Sequence, residues 1–325
     1  MILSKKIDAL NIGLLLISLA LAFLLPFELF LFSYAVLGPL HYLTEIGWLK
    51  EKQFFTPKSY DVWWLIAITV LITIASFSPA GSIIHSFNLV FVAFTFTFVI
   101  FAVQSTTARV LIMLALFIVS SFLKDLTSFE LIFAIFLPTL IHVFVFTGAF
   151  MLFGALKSQS ALGFSGFILL IVCGLMLFFI DLPYQNLLSW AYIQESYQDF
   201  FLVNQYLIDV LGFEKGEDAV NTVYYSSVGL KVMRFIAFAY TYHYLNWFSK
   251  TSIIRWHHVP KIYIVSAIVI WIASVGLYLY NFHIGLRWLF LLSFLHVLLE
   301  FPLNILSFKG IGVETKKLLF KKVQQ

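Results

Sequence analysis

Long apolar stretches separated by short polar connections run along almost the whole chain. Most hold roughly 18 or more residues, which is enough for a helix to cross about 30 Å of hydrocarbon. Because hydrocarbon offers no water to the peptide groups, each stretch must satisfy its own backbone as an α-helix. We place the spans at 9–25, 26–48, 61–79, 83–103, 107–123, 129–154, 162–180, 222–248, 260–281 and 284–308. The pattern predicts an all-α transmembrane bundle of about ten spans, with residues 1–325 forming one integral-membrane domain.

The distribution of basic residues predicts the orientation of the bundle. With the N-terminus in the cytoplasm, most lysines and arginines fall in inside connections or in the C-terminal tail, as expected for cytoplasmic loops. They are Lys50, Lys52, Lys58, Arg109, Lys157, Lys250, Arg255, Lys261, Lys309, Lys316, Lys317, Lys321 and Lys322. We therefore expect both termini in the cytoplasm and a location in a bacterial cytoplasmic membrane, with the lipid bilayer as the surrounding partner.

The one long polar segment, residues 181–221, is expected on the outer side. Its acids are Asp181, Glu195, Asp199, Asp209, Glu214, Glu217 and Asp218. Between Leu187 and Leu211, apolar and polar residues alternate at helical spacing, which is typical of an interfacial amphipathic helix. We expect this extracytoplasmic segment to lie over the outer mouth of the bundle. Lys231 and Arg234 follow it, and we expect them to reach the outer interface or to pair with one of its acids.

Composition excludes several classes of protein. Of the 325 residues, 62% are hydrophobic and 11% are charged, whereas soluble domains average about 25% charged residues. No sizeable soluble domain fits in the chain. The net charge of +4 comes from lysines in short loops and the tail, so it does not indicate nucleic-acid binding. Cys173 is the only cysteine, which excludes an intramolecular disulfide and a thiolate metal cluster.

Four histidines lie in apolar spans at a similar predicted depth: His41, His142, His243 and His296. Two of them have a glutamate four residues later, Glu45 after His41 and Glu300 after His296, so each pair shares a helix face. Neutral imidazoles without thiolate suit iron, zinc or copper. The glutamates could orient the histidines, tune the ion or bind it directly.

The same residues also fit functions without a metal. An intramembrane histidine can serve as a hydrogen-bond partner between helices, and proton-relay transporters use histidine and glutamate inside their helices. Residue chemistry alone therefore leaves a metal enzyme, a proton-coupled transporter and a ligand-binding membrane protein as alternatives. The oligomeric state is left open as well.

Four short motifs resemble the Brp/Blh family of integral-membrane β-carotene dioxygenases. They are Gly38-Pro39-Leu40-His41 with Glu45, Leu140-Ile141-His142-Val143-Phe144, Tyr242-His243-Tyr244, and Leu295-His296 with Glu300. The resemblance implies one non-haem iron(II) held by the four histidines, and oxidative cleavage of a carotenoid to two aldehydes, as in retinal biosynthesis.

The chain departs from the family pattern at several positions. Tyr42 stands where the family has glycine, Leu295 replaces a proline, and Trp247 lies where a further histidine often follows the third. Both acids are glutamate where the family has aspartate. A family member without catalytic activity is therefore a further alternative.

Aromatic residues near the histidines are candidates for lining the path of a polyene or a similar apolar substrate: Tyr42, Tyr240, Tyr242, Tyr244 and Trp247. For Trp247 and Trp48 the alternative is an aromatic belt at the membrane interface. The adjacent pair His257-His258 resembles part of a desaturase motif, but those enzymes use several such boxes and this chain has one.

Overall fold

A computed structural model describes residues 2–77, 86–123, 126, 129–213, 218–250 and 260–323. Every regular element in these ranges is helical, which confirms the predicted all-α class. The helices are α1 (Ile2–Leu24), α2 (Pro26–Glu51), α3 (Asp61–Ser76), α4 (Ser86–Ala102), α5 (Thr106–Leu123), α6 (Glu130–Phe146 continued by Thr147–Ser158), α7 (Ala161–Phe179), α8 (Trp190–Tyr197), α9 (Phe201–Val210), α10 (Ala219–Tyr225), α11 (Ser227–Ser249), α12 (Lys261–Tyr280) and α13 (Phe282–Val323).

Seven of the described helices are long and apolar enough to cross a membrane: α1, α2, α5, α6, α7, α12 and α13. Their length and composition suggest an integral membrane protein. Two further apolar helices, α3 and α4, are shorter. Each of the nine covers a predicted span, although α13 continues to Val323, past the predicted end at residue 308. Helix α11 covers the remaining predicted span, 222–248.

Helix α11 is largely enclosed by other helices of the bundle. Its 23 residues pack against α1, α2, α6, α7 and α9, and nearly all positions from Val232 to Tyr244 are buried.

The predicted span began at residue 222, but helix α11 begins at Ser227. Ser226 is extended and caps the helix, because its Oγ accepts a 2.9 Å hydrogen bond from the Gly229 amide. A side chain at Gly229 would collide with the Thr222 carbonyl, at 2.1 Å. Glycine therefore permits the close approach of α10.

Residues 181–210 form a lid over one end of the bundle. The predicted amphipathic helix is present as two short helices, α8 and α9, joined by a turn at Gln198–Phe200. Their apolar face, including Ile193, Tyr197 and Ile208, is buried, and Tyr197 packs edge-on against Phe27 at 5.4 Å. The chain before α8 is held by Glu28, whose carboxylate accepts the Leu187 amide at 2.7 Å.

Lys231 pairs with an acid of the lid, as predicted. Its Nζ lies 2.8 Å from the Asp181 carboxylate. The pKa of Asp181 lies below its usual range because Lys231 and then Ser227 hydrogen-bond to the carboxylate. Arg234 is fully buried and donates to the Leu182 carbonyl at 2.5 Å. Two side chains of α11 therefore tie the lid to the centre of the bundle.

At the opposite end, Arg109 is not the loop charge that its sequence position indicates. Its guanidinium is fully buried and pairs with Asp61 of α3 at 2.5 Å. It also donates to the carbonyls of Ile100 (2.8 Å) and Val103 (2.7 Å). Carbonyls at the end of a helix such as α4 have no partner within the helix, and Arg109 supplies one. One side chain thus joins α3, α4 and α5.

We expect Asp61→Asn to destabilise the fold, because it leaves the Arg109 charge buried without a counter-charge. Removing one partner of a buried pair costs about 3–5 kcal/mol. The free energy of unfolding of the purified chain in detergent measures this loss. Glu314→Gln is the control: it removes the exposed contact with Lys317, which is worth at most about 1 kcal/mol. Equal effects of the two substitutions would contradict the role of Asp61.

Candidate metal centre

The four histidines meet at the centre of the bundle, each on a different helix. His41 lies on α2, His142 on α6, His243 on α11 and His296 on α13, and none is more than 7% exposed. Neighbouring rings form a closed loop: centroids are 4.7 Å apart for His41 and His243, 4.9 Å for His243 and His142, 5.2 Å for His142 and His296, and 5.4 Å for His296 and His41.

Irregular helical turns precede His41 and contain His142. The chain is π-helical at Ser33–Leu37, just before the Gly38-Pro39 pair, and α6 is π-helical from Glu130 to Phe146 around Pro138. Proline has no amide hydrogen and disrupts a regular α-helix, and π turns accommodate such breaks and often lie at functional sites.

Three buried histidines could hold a metal ion. His41, His243 and His296 each offer a ring nitrogen within 4.8 Å of the others, and Nε2 of His41 lies 3.1 Å from Nε2 of His243. Within the described residues, both nitrogens of His142 and both of His296 make no hydrogen bond of ordinary geometry. A buried polar atom without a partner costs free energy. A bound cation would satisfy one nitrogen of each ring.

The two glutamates lie beside the ring of histidines. Oε2 of Glu45 is 3.0 Å from Nε2 of His41, and Oε2 of Glu300 is 3.5 Å from Nδ1 of His142. Both carboxylates are only 2% exposed. Two buried negative charges are costly without compensation. One divalent cation would balance both, so the donor set fits such an ion in charge as well as in ligand type.

Thr147 contacts the centre and was missed by the sequence analysis. Its Oγ1 lies 2.8 Å from Nδ1 of His243. A hydrogen bond at Nδ1 holds the ring so that Nε2 faces His41. A threonine in an apolar helix carries no sequence signal for this role, because its partner is on another helix.

A cavity of about 360 Å³ opens onto the centre. Three of the histidines line it: His142, His243 and His296. It extends to Asp199 and Phe200 of the lid. Among the predicted substrate-lining residues, the structure places three on this cavity: Tyr42, Tyr240 and Tyr244.

The other two predicted lining residues point elsewhere. The Tyr242 hydroxyl contacts the Met151 sulfur at 3.3 Å, and Trp247 donates from Nε1 to Thr44 at 3.0 Å while its ring lies edge-on to His41. Successive residues on a helix are rotated by 100°. Tyr240 and Tyr244, four residues apart, therefore share a face, whereas Tyr242, two residues from each, lies on the opposite face. Trp247 packs against the centre without lining the cavity.

Of the remaining histidines, His283 lies at the lid end, 2.6 Å from Asp199. His85, His257 and His258 fall outside the described residues. The chain matches no protein-family model, and neither curated proteins nor solved structures give a match.

We expect Thr147→Val to weaken divalent-metal binding about 10- to 100-fold, as is typical when a group that orients a ligand is lost. Titration of the purified chain with Co²⁺, followed by visible absorption, measures the affinity. Thr69→Val is the matched control, because within the described part of the chain that buried hydroxyl bonds only the Leu65 carbonyl (2.8 Å) on α3. Unchanged affinity in both variants would rule out the orienting role.

Proposed function

We propose that this protein is a membrane-embedded, iron-dependent oxygenase of the Brp/Blh type. It cleaves a carotenoid, or a related apolar lipid, within a bilayer that the chain crosses ten times with both termini in the cytoplasm. The observation that carries the proposal is the closed ring of four buried histidines, three of which line a mainly apolar cavity.

The residues at the centre suit iron(II). Imidazole and carboxylate are ligands of non-haem iron, and no thiolate lies in the cluster. His41, His142, His243 and His296 would hold the ion. Bound there, iron(II) supplies dioxygen activation for the cleavage of one carbon–carbon double bond, in which the two oxygen atoms end in two aldehydes.

The chain itself would hold the substrate and exclude water. A volume of about 360 Å³ lies within the range of roughly 300–1,000 Å³ that is usual for ligand pockets. Tyr42 stacks on His296 with ring centroids 4.1 Å apart, and its hydroxyl lies 3.0 Å from that of Tyr244. These contacts fix the aromatic wall beside the metal ligands. Most of the other side chains that line the cavity are apolar and favour a ligand taken from the bilayer.

A proton-coupled transporter or a ligand-binding protein is the second candidate. The close contacts of His41 with Glu45 and of His142 with Glu300 favour it, because carboxylate–imidazole pairs inside helices also carry protons. This function needs no metal, so metal content separates the two candidates.

We expect the purified wild-type chain, loaded anaerobically with iron(II), to hold about one iron per chain, as one mononuclear site requires. His243→Ala should lose the iron, because it removes a nitrogen at the centre of the cluster. His283→Ala should keep it, since that histidine lies at the lid. Elemental analysis after gel filtration measures the content. Absence of iron in the wild type would favour the transport function.

The substrate is tested by supplying β-carotene and dioxygen to the same three proteins. We expect aldehyde products from the wild type and from His283→Ala, and none from His243→Ala. Chromatography with mass detection identifies them. If the iron-loaded wild type leaves carotenoids intact, the proposed metal centre stands and carotenoids are excluded as the substrate class.

A further inference from the structure

Glu45 and Glu300 have the same sequence relation to a histidine, but the structure gives them different partners. Each lies four residues after a histidine on its helix. Glu45 contacts its own histidine, His41, at Nε2, whereas Glu300 contacts His142 of another helix at Nδ1. The choice of ring nitrogen decides what each carboxylate can do.

Glu45 lies on the metal side of His41. Nε2 of His41 is 3.0 Å from Oε2 of Glu45 and 3.1 Å from Nε2 of His243. Ligand bonds to such ions are about 2.1 Å long, so two ligand atoms at right angles are about 3.0 Å apart. Each of the two distances from Nε2 of His41 therefore matches the separation of neighbouring ligands on one ion.

An orienting role does not fit Glu45. A carboxylate that orients a ligating histidine accepts a hydrogen bond from the ring nitrogen that does not bind the metal. For His41 that nitrogen is Nδ1, which makes no hydrogen bond within the described residues, and Glu45 is on the other side of the ring. Within the described residues, Oε2 of Glu45 is buried, and its contact with Nε2 of His41 lacks the geometry of an ordinary hydrogen bond.

Glu300 has the geometry that Glu45 lacks. Its carboxylate faces Nδ1 of His142, which leaves Nε2 of that ring for a metal. Thr147 has the same relation to His243, through Nδ1. Glu300 thus belongs with the groups that act on the metal through a histidine.

We propose that Glu45 is a direct metal ligand, joining the histidines, and that Glu300 is a positioning residue that acts through His142. This inference rests on the metal centre of the proposed function. A carboxylate among imidazoles gives the mixed nitrogen and oxygen ligand set typical of non-haem iron. It also places one negative charge directly on the ion.

The test compares Glu45→Gln with Glu300→Gln in the full-length chain in detergent, using Co²⁺ as the probe ion. Both substitutions keep the shape of the side chain and remove one charge. For Glu300→Gln we expect an affinity about 10-fold lower and, at saturation, the visible spectrum of the wild type. For Glu45→Gln we expect a loss greater than the 10- to 100-fold typical of orienting groups, and a changed spectrum at saturation because a ligand atom is replaced.

Each outcome has a separate meaning. Equal losses in the two variants, with both saturated spectra unchanged, would overturn the assignment of Glu45 while leaving the metal centre intact. A changed spectrum in Glu300→Gln alone would reverse the two roles. If the wild type binds no Co²⁺ or iron(II), the metal centre of the proposed function fails, and this inference fails with it. Thermal unfolding of each variant shows that a lost affinity does not reflect a lost fold.

Discussion

The burial of ionisable side chains at the centre of an apolar bundle is the constraint on which the rest of the structure depends. Four imidazoles and two carboxylates lie there with almost no solvent contact. Water is not available to solvate them, so they must satisfy one another or share a cation. The need to satisfy one another accounts for their close packing. The ring nitrogens that make no ordinary hydrogen bond within the described residues are the ones left for a shared cation.

The surrounding helices are shaped to bring these groups together. Helix α11 supplies His243 and is enclosed almost all round, which keeps its polar residues away from lipid. Helices α2 and α6 reach the centre through π turns beside prolines. Irregular backbone is tolerated at this depth because neighbouring helices cover it. The lid then covers the cavity that leads from one end of the bundle to the histidines.

Some charged groups away from the centre have structural partners. Asp61 and Arg109 close the end of α4, and Lys231 binds the lid through Asp181. The charged side chains in these pairs hold the helices and the lid together, whereas the ionisable side chains at the centre lie beside the cavity. Only the histidine cluster combines buried nitrogen donors, unpartnered carboxylate oxygens and an adjoining cavity within the described part of the chain.

The sequence by itself determined the helical class, the positions of the apolar helices, the amphipathic character of the lid and the choice of four candidate histidines. These are local properties, set by hydropathy, periodicity and depth along each helix. Only the tertiary structure decided that the histidines converge, that Thr147 holds His243, that Arg109 is buried, and that Tyr242 and Trp247 miss the cavity. It also decided which nitrogen each glutamate meets, since that depends on how each helix is rotated about its axis against its neighbours. A rotation of 100°, which is the angle between successive residues, moves a side chain to another face. The sequence pattern of one helix does not determine this rotation.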